Sequence, residues 1–308
     1  MFDREQLETF ASVVEHGSFD RAAQLLNVTR GAISQRMRAL EETVGSVLVL
    51  RERPVRATSR GEALLRHVKA LRLLEGSVLH ELRDGGQDSG ALPVAIAVNS
   101  DSLIGWFGTV LDRLLELRHI ALEIISDDQD HTFSRLSRGE VLGCISTESR
   151  AMPGYVAECL GNMRYRCLAR SEFVQSYFPR GLDVASLLKA PAILFDRKDG
   201  LHDQFLESLF GFRIERYPRH YIPSPGALLQ AVRSGGGYGM VPMRQDGDDN
   251  LHEWGLVDLA PGRHVDVTLH WHHWSSELRI ARAITKLVTE EAQRQLLPVT
   301  GVSPAPGL

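Results

Sequence analysis

Two short runs between Phe19 and Gly45 place apolar residues at helical spacing. In the second run Ile33, Met37, Leu40 and Val44 fall at i, i+4, i+7 and i+11, so at about 100° per residue they share one side. Arg30, Ser34, Gln35 and Arg38 occupy the opposite arc, and Thr29 stands where an N-cap would accept from the first turn. Gly45 follows the last apolar residue, as a left-handed C-terminal residue does. The first run offers Phe19, Ala22, Ala23 and Leu26 to the same core, and its alanines permit a close helix crossing. Two capped helices joined by a tight turn, with an Arg/Ser/Gln face outward, predict a helix-turn-helix whose second helix enters the major groove of DNA. A plain helical hairpin is the bland alternative.

The same periodicity predicts a helix over about Arg4–Glu15 with Asp3 as cap, and a long one over Ser59–Leu82 started by Thr58. In the long helix Leu64, Val68, Leu71, Val78 and Leu82 follow 3–4 spacing, and Leu65, Leu74 and Leu79 widen the stripe. So wide a stripe calls for a partner helix, hence dimerisation. Between these helices lies VLVLRERPVRATSRG, in which Arg51, Arg53 and Arg56 surround Pro54. It reads as a wing whose cations reach phosphates, or else as a solvated charged loop. DGGQDSG, 84–90, makes a hinge.

From residue 91 the pattern changes to strands alternating with helices. LPVAIAV, IALEIIS, VLGCIST, YRCLAR, PAILFD, YGMVP and HVDVTLHWHHW are strand-like. Helices are expected at about 101–117, 132–138 and 276–293. Such alternation predicts a parallel α/β sheet with ligand sites at the carboxyl ends of its strands.

Composition refines this picture. A chain of 308 residues suggests two or three domains. Its net charge of −4 is unevenly spread: residues 27–60 carry seven arginines and three glutamates, a local +4 suited to DNA contact at one end. Cys144, Cys159 and Cys167 are too few and too irregular for a metal site and read as buried thiols. With no long apolar run and no signal peptide, a soluble cytoplasmic protein without membrane contact is expected.

AAQLLNVTRGAISQRMRALEETVGSVLVLR and the helix start at Thr58–Gly61 resemble the DNA-binding region of LysR-type transcriptional regulators. AVNSDSLIGWF, SRGEVLGCIS, KAPAILFD with LHDQFL, and LHWHHW are similar to the ArgP/LysG (IciA-like) branch, which senses basic amino acids and controls amino-acid export genes. The resemblance implies an N-terminal all-α winged helix-turn-helix (1–58), a linker dimerisation helix (59–83), the hinge (84–90) and an effector-binding domain (91–308). That last domain would be a two-subdomain, periplasmic-binding-protein-like α/β fold, with subdomain I at 91–162 and 268–308 and subdomain II at 163–267. Two crossing strands would hinge the lobes around the effector. Implied partners are double-stranded promoter DNA, lysine or arginine, further copies of the chain as a dimer or tetramer, and RNA polymerase. Arg30–Gly31 departs from the family's more common Gln–Ser or Gln–Pro, which bears on operator preference.

Thr29, Arg30, Ser34, Gln35 and Arg38, with Arg51, Arg53 and Arg56, are the expected DNA-contacting residues. An amino-acid effector needs donors for its carboxylate and acceptors for its ammonium, and a cationic one needs a further acid. Asn99, Ser100 and Ser102 lie between a strand end and a helix start, where an anion is favoured, and Asp101 could meet an ammonium or guanidinium. An ordinary N-cap is the alternative there. Asp127 and Asp128 are further acceptors or solvated loop carboxylates, and Asp196 and His202 are candidates from the opposite lobe. His270, His272 and His273 read as strand packing rather than a metal site, since the sequence suggests no Cys or carboxylate ligand near them. SGGGYGMVP lacks the context of a dinucleotide site, and no catalytic triad can be traced, so neither cofactor nor enzyme activity is expected. Two rivals stay open: a LysR-type regulator with another organic effector, and a small-molecule binding protein or enzyme with an incidental helical N-terminus.

Overall fold

The computed structural model describes residues 2–82, 91–117, 120–126, 135–136, 138–243, 251, 253–275 and 279–299. The expected hinge at 84–90 and most of the helix expected at 132–138 lie outside them. The chain divides into two compact units, one formed by 1–96, 117–124 and 133–142, the other by the rest.

In the first unit α1 (Arg4–Glu15), α2 (Phe19–Leu25) and α3 (Arg30–Val44) each begin at a side-chain cap. Asp3, Ser18 and Thr29 accept from the N–H groups of Gln6, Arg21 and Ala32. Asn27 turns the chain between α2 and α3 at φ 53°, a left-handed value that asparagine tolerates, and Gly45 ends α3 at φ 72°. The apolar stripes then close on one another: Phe10 and Val13 meet Ala22, Ile33, Met37 and Leu40 in a single buried cluster. β1 (Val49–Leu50) and β2 (Arg56–Ala57) form the antiparallel wing. α4 (Ser59–Leu82) follows, and the Thr58 hydroxyl accepts from Gly61 N–H at 3.1 Å while donating to the Val47 carbonyl. Leu64, Leu65 and Val68 fill the core from α4, whereas Leu74 and Val78 further along are more than 40% exposed. Burial therefore takes up the first half of the leucine stripe and leaves apolar surface on the second.

After α4 the chain forms two strands, β3 (Leu92–Val98) and β4 (Ile120–Ser126); the second unit contains α5 (Ser100–Ile104), α6 (Phe107–Leu115), β5 (Gly143–Ser146), β6 (Tyr155–Arg170), α7 (Ser171–Tyr177), α8 (Val184–Leu187), β7 (Ala192–Leu194), α9 (Leu201–Phe210), β8 (Arg219–Tyr221), α10 (Pro225–Arg233), β9 (Tyr238–Met243), β10 (Leu256–Asp258), β11 (Val265–Trp274) and α11 (Arg279–Gln295). The single helix expected over 101–117 is broken, because Gly105 adopts a non-helical ψ of −116° and Trp106 starts α6 anew. The expectation of a parallel sheet also fails in part. β7 runs parallel to β8 and β9, which α9 and α10 connect by helical crossovers. β6 and β11, however, pair antiparallel over ten residues, and β6 also pairs antiparallel with β9 and β10. A single helical crossover returns a chain in the same direction, whereas the chain that leaves along β6 comes back along β11 only after α7–α10 and β7–β10, and lies antiparallel to it.

Candidate functional site

On α3 the capped N-terminus and the buried Ile33–Met37–Leu40 stripe fix the outward arc. Arg30, Gln35 and Arg38 are exposed, Ser34 is half-buried, and the Thr29 hydroxyl is engaged as the cap. Arg30 lies 3.3 Å from Asp20, an exposed pair worth little in water. Arg38, Arg53 and Arg56 have no partner among the described residues and are exposed. Arg51 lies 5.8 Å from the Phe19 ring centre, so the wing rests on the start of α2. Arg36, by contrast, faces back and pairs with Glu5 of α1. The arrangement offers unneutralised guanidinium groups beside a groove-sized helix, which is what phosphates and guanine edges bind.

The larger unit gathers a second group. Asn99 is 4% exposed and its Oδ1 has no hydrogen-bond partner among the described residues; Ser102, fully buried, has an equally unpartnered hydroxyl. Ser100 Oγ lies 3.0 Å from Ser126 Oγ. The Tyr165 hydroxyl of β6 donates to Asp101 Oδ2 at 2.6 Å. Burial pushes the Asp101 carboxyl up, the Tyr165 bond pulls it down, and the charge of Asp199 pushes it up again. Tyr165 is held well above its ordinary value, by burial and then by Asp101 and Asp199.

Asp196 and His202 stand in different surroundings. Asp196 Oδ1 accepts from the N–H groups of Lys198 and Asp199, closing its own turn. His202 is 1% exposed, stacked on Tyr217 and edge-on to Tyr238, and burial holds its imidazole down to about 4. Asp127 and Asp128 lie outside the described residues. Sequence reasoning overlooked Tyr165, Asp199 and Ser126. Tyr165 read as one more strand residue, and Asp199 sits three residues beyond the Asp196 that drew attention.

Two further expectations are corrected. Cys144 and Cys167 are buried, and burial raises the Cys144 thiol to about 12, but Cys159 is exposed because its β6 position faces outward. The histidine strand does have cysteines and carboxylates near it: Cys144 is paired opposite His272 and Cys159 opposite His270, Glu158 Oε1 is 3.2 Å from His273 Nε2, and the charge of Glu148 reaches His270 and His272. Cross-strand pairing with β5 and β6, and the chain after β5, bring these in, which spacing along β11 does not reveal. Among the described residues no group of three or more metal-ligating side chains could hold an ion, and no helix is long and apolar enough to cross a membrane. An open concavity of about 550 Å³ lined by Leu188 and residues 215–219 contains none of the site residues expected from the sequence, though its Tyr217 stacks on His202.

Comparison with known proteins places these features in context. A family model described as "Bacterial regulatory helix-turn-helix protein, lysR family" matches residues 4–62, and one described as "LysR substrate binding domain" matches 87–293. The HTH-type transcriptional regulator ArgP of Pseudomonas aeruginosa (strain UCBPP-PA14) is 36% identical over 304 residues, covering 98% of this chain and 99% of its own. The crystal structure of ArgP from Mycobacterium tuberculosis superposes with a TM-score of 0.86 at 37% identity, over 97% of this chain and 100% of that one. Full-length LysG from Corynebacterium glutamicum with bound effector Arg gives 0.81 at 30% identity, over 96% and 100%.

Proposed function

Because this chain belongs to the LysR family of bacterial helix-turn-helix transcriptional regulators, we propose that it reads promoter DNA with α3 and the wing under the control of a basic amino acid, lysine or arginine, and so governs genes of amino-acid export or metabolism. The observation that carries the DNA half is the outward arc of α3, with Arg38 exposed and unpaired beside the unneutralised Arg53 and Arg56 of the wing. The effector half is supported by the acceptor-rich surroundings of Asp101, where an organic acid would be repelled and a cation welcomed. Arginine bound to the related LysG points the same way.

In this reading residues 1–58 bind DNA, 59–83 form the linker helix, and 91–308 sense the effector, with subdomain II spanning 163–267. Asn99, Ser100, Asp101 and Ser102 contact the effector. Two copies pair through the exposed Leu74 and Val78 surface of α4, so that two recognition helices address two half-sites. The effector acts by binding one of two states more tightly, since equal affinity for both would shift nothing.

A thermal-shift screen with the twenty amino acids, run beside retention on promoter DNA at rising salt, tests both halves. Stabilisation by lysine, arginine or histidine, with retention that falls steeply as salt rises, supports the reading. Ligand stabilisation without any salt-dependent DNA retention would leave a binding protein with an incidental helical N-terminus. Stabilisation by none of the amino acids sinks the effector assignment.

A further inference from the structure

Three consecutive residues in the middle of β6 each meet an aspartate. Arg164 Nε lies 2.8 Å from Asp266 Oδ1, and Arg166 Nε lies 3.8 Å from Asp258 Oδ2. Those two aspartates each have a cation. Tyr165, between the arginines, projects from the opposite face of the strand and gives its hydroxyl hydrogen to Asp101 Oδ2 at 2.6 Å. Asp101 differs from the other two: among the described residues no lysine, arginine or histidine pairs with it, and its Oδ1 accepts from nothing. Tyr165 itself is firmly held. It is 4% exposed and lies in register with Val265 of β11 on one side and Pro242 of β9 on the other. The Met163 sulfur, 4.0 Å from the hydroxyl, is a weak acceptor that a carboxylate outcompetes.

A hydroxyl has one hydrogen, so once Tyr165 has given its own to Oδ2 the phenol oxygen can only accept. Asp101 Oδ1, when the carboxyl is ionised, can only accept as well. The half-buried carboxylate is therefore fixed in orientation without being neutralised. A short O–H···O⁻ bond of this kind is charge-assisted, and its loss would leave the carboxylate free to turn and less readily ionised.

We propose that Tyr165 is the positioning residue of the effector site, its hydroxyl holding the Asp101 carboxylate in the orientation that receives the cationic group of the effector. The inference rests on the basic-amino-acid reading above and adds to it the group that aims the carboxylate. Tyr165 acts through Asp101, from a strand 64 residues away in sequence.

Isothermal titration calorimetry with L-arginine on the full chain tests this in a double-mutant cycle of Tyr165→Phe and Asp101→Asn. Tyr165→Phe removes only the hydroxyl, and should weaken arginine about tenfold at an unchanged melting temperature. In the Asp101→Asn background the same substitution should change the affinity by less than about twofold, because no carboxylate remains to be aimed. Equal losses in both backgrounds would give Tyr165 a merely structural role and overturn the proposal.

The pH profile of arginine binding gives a second readout. Among the described residues Asp101 feels two titratable groups: the Tyr165 bond pulls its carboxyl down, against burial and the charge of Asp199. On acidification, binding should therefore fail at a higher pH in Tyr165→Phe than in wild type, and coincident profiles would overturn the proposal. Asp101→Glu leaves β6 untouched and serves should Tyr165→Phe melt early. It keeps the charge but displaces the carboxylate from the hydroxyl, and should weaken arginine about tenfold; wild-type affinity in Asp101→Glu would overturn the proposal. Arginine affinity unaffected by Asp101→Asn would overturn it too, while leaving the basic-amino-acid reading standing. Wild-type protein that takes up none of arginine, lysine and histidine would overturn both.

Discussion

Arg72 of α4 grips Glu8 of α1 in a fork, with Nε 3.2 and 3.0 Å from the two carboxylate oxygens and Nη2 2.6 Å from Oε2. Its remaining arm, Nη1, reaches Glu15 Oε1 at 2.9 Å. One guanidinium thus ties the middle and the C-terminal end of α1 to the long helix. Burial alone would lower the Arg72 pKa, but the bonds to Glu8 and the charge of Glu15 outweigh it. Lys69, one turn earlier, is lowered by burial while Glu15 and Glu140 pull it back up. Gly139 packs here too: a Cβ on it would stand 3.3 Å from the Arg66 Cα and the Lys69 Cδ.

Replacing Arg72 with leucine should leave Glu8 and Glu15 facing one another without a cation. Because these side chains are about one-third exposed, solvent screening trims the effect to about 1–2 kcal/mol. Thermal unfolding of Arg72→Leu, Glu8→Gln and the double variant measures it. The double variant should lose less than the two single losses combined, and simple additivity would show that the fork contributes nothing.

Gly61 should tolerate no side chain. A Cβ there would lie 2.1 Å from the Leu48 carbonyl oxygen, a backbone atom that cannot swing aside. Gly61→Ala is expected to destabilise the N-terminal unit by about 1–3 kcal/mol or more, despite alanine's better helix propensity. A melting temperature equal to or above wild type would show that α4 and the wing can separate freely.

His202 makes stability fall with acid. Unfolded, its imidazole takes up a proton near 6.5, while in the folded chain burial delays this to about 4. Between those values the unfolded state binds more protons, so acidification from pH 6.5 to 4 should remove stability, on the order of 3 kcal/mol at the lower end. Denaturant melts across that range should show a slope that His202→Phe flattens. Equal slopes in both proteins would mean that other groups govern the acid limb.

Arg38 and Arg53 should fail differently on DNA. If Arg38 pairs with a guanine, Arg38→Ala costs about 1–3 kcal/mol at its own operator and little on random sequence. Arg53→Ala should weaken both alike and lower the salt slope by about one unit. Binding titrations at several salt concentrations distinguish the two, and full operator affinity in Arg38→Ala would remove that residue from the interface.

Introducing glutamate at Leu74 and Val78, both exposed on the second half of α4, should shift the assembly toward monomers without melting the helix-turn-helix core. Analytical ultracentrifugation reads this directly. Unchanged sedimentation would place the pairing surface elsewhere.

Much of the N-terminal unit was legible because its signals are local. Thr29, Ser18 and Asp3 cap helices through bonds three residues long, and Gly45 stops α3 where its sequence position indicates. The larger unit was legible only in outline. Several strands were found nearly in place, but β8, β10 and the first part of β6 (155–164) were passed over, and the directions were misjudged: alternation spoke for parallel pairing, and β6 and β11 pair antiparallel with a register shift between Leu269 and His270. The helix expected over 101–117 breaks at Gly105, a residue that the apolar periodicity passes over.

By itself the sequence determined the helices of the N-terminal unit, where they start and stop, most of the longer strands, and which face of α3 carries its cations. These follow from periodicity and from contacts within a few residues. Tertiary structure alone decided that Asp101 meets Tyr165 and the charge of Asp199, that Asp196 turns in on its own loop, and that His202 disappears among aromatic rings. The reason is physical: a carboxylate's role is set by what burial and neighbouring charge do to it, and those neighbours come from strands and turns up to about a hundred residues away.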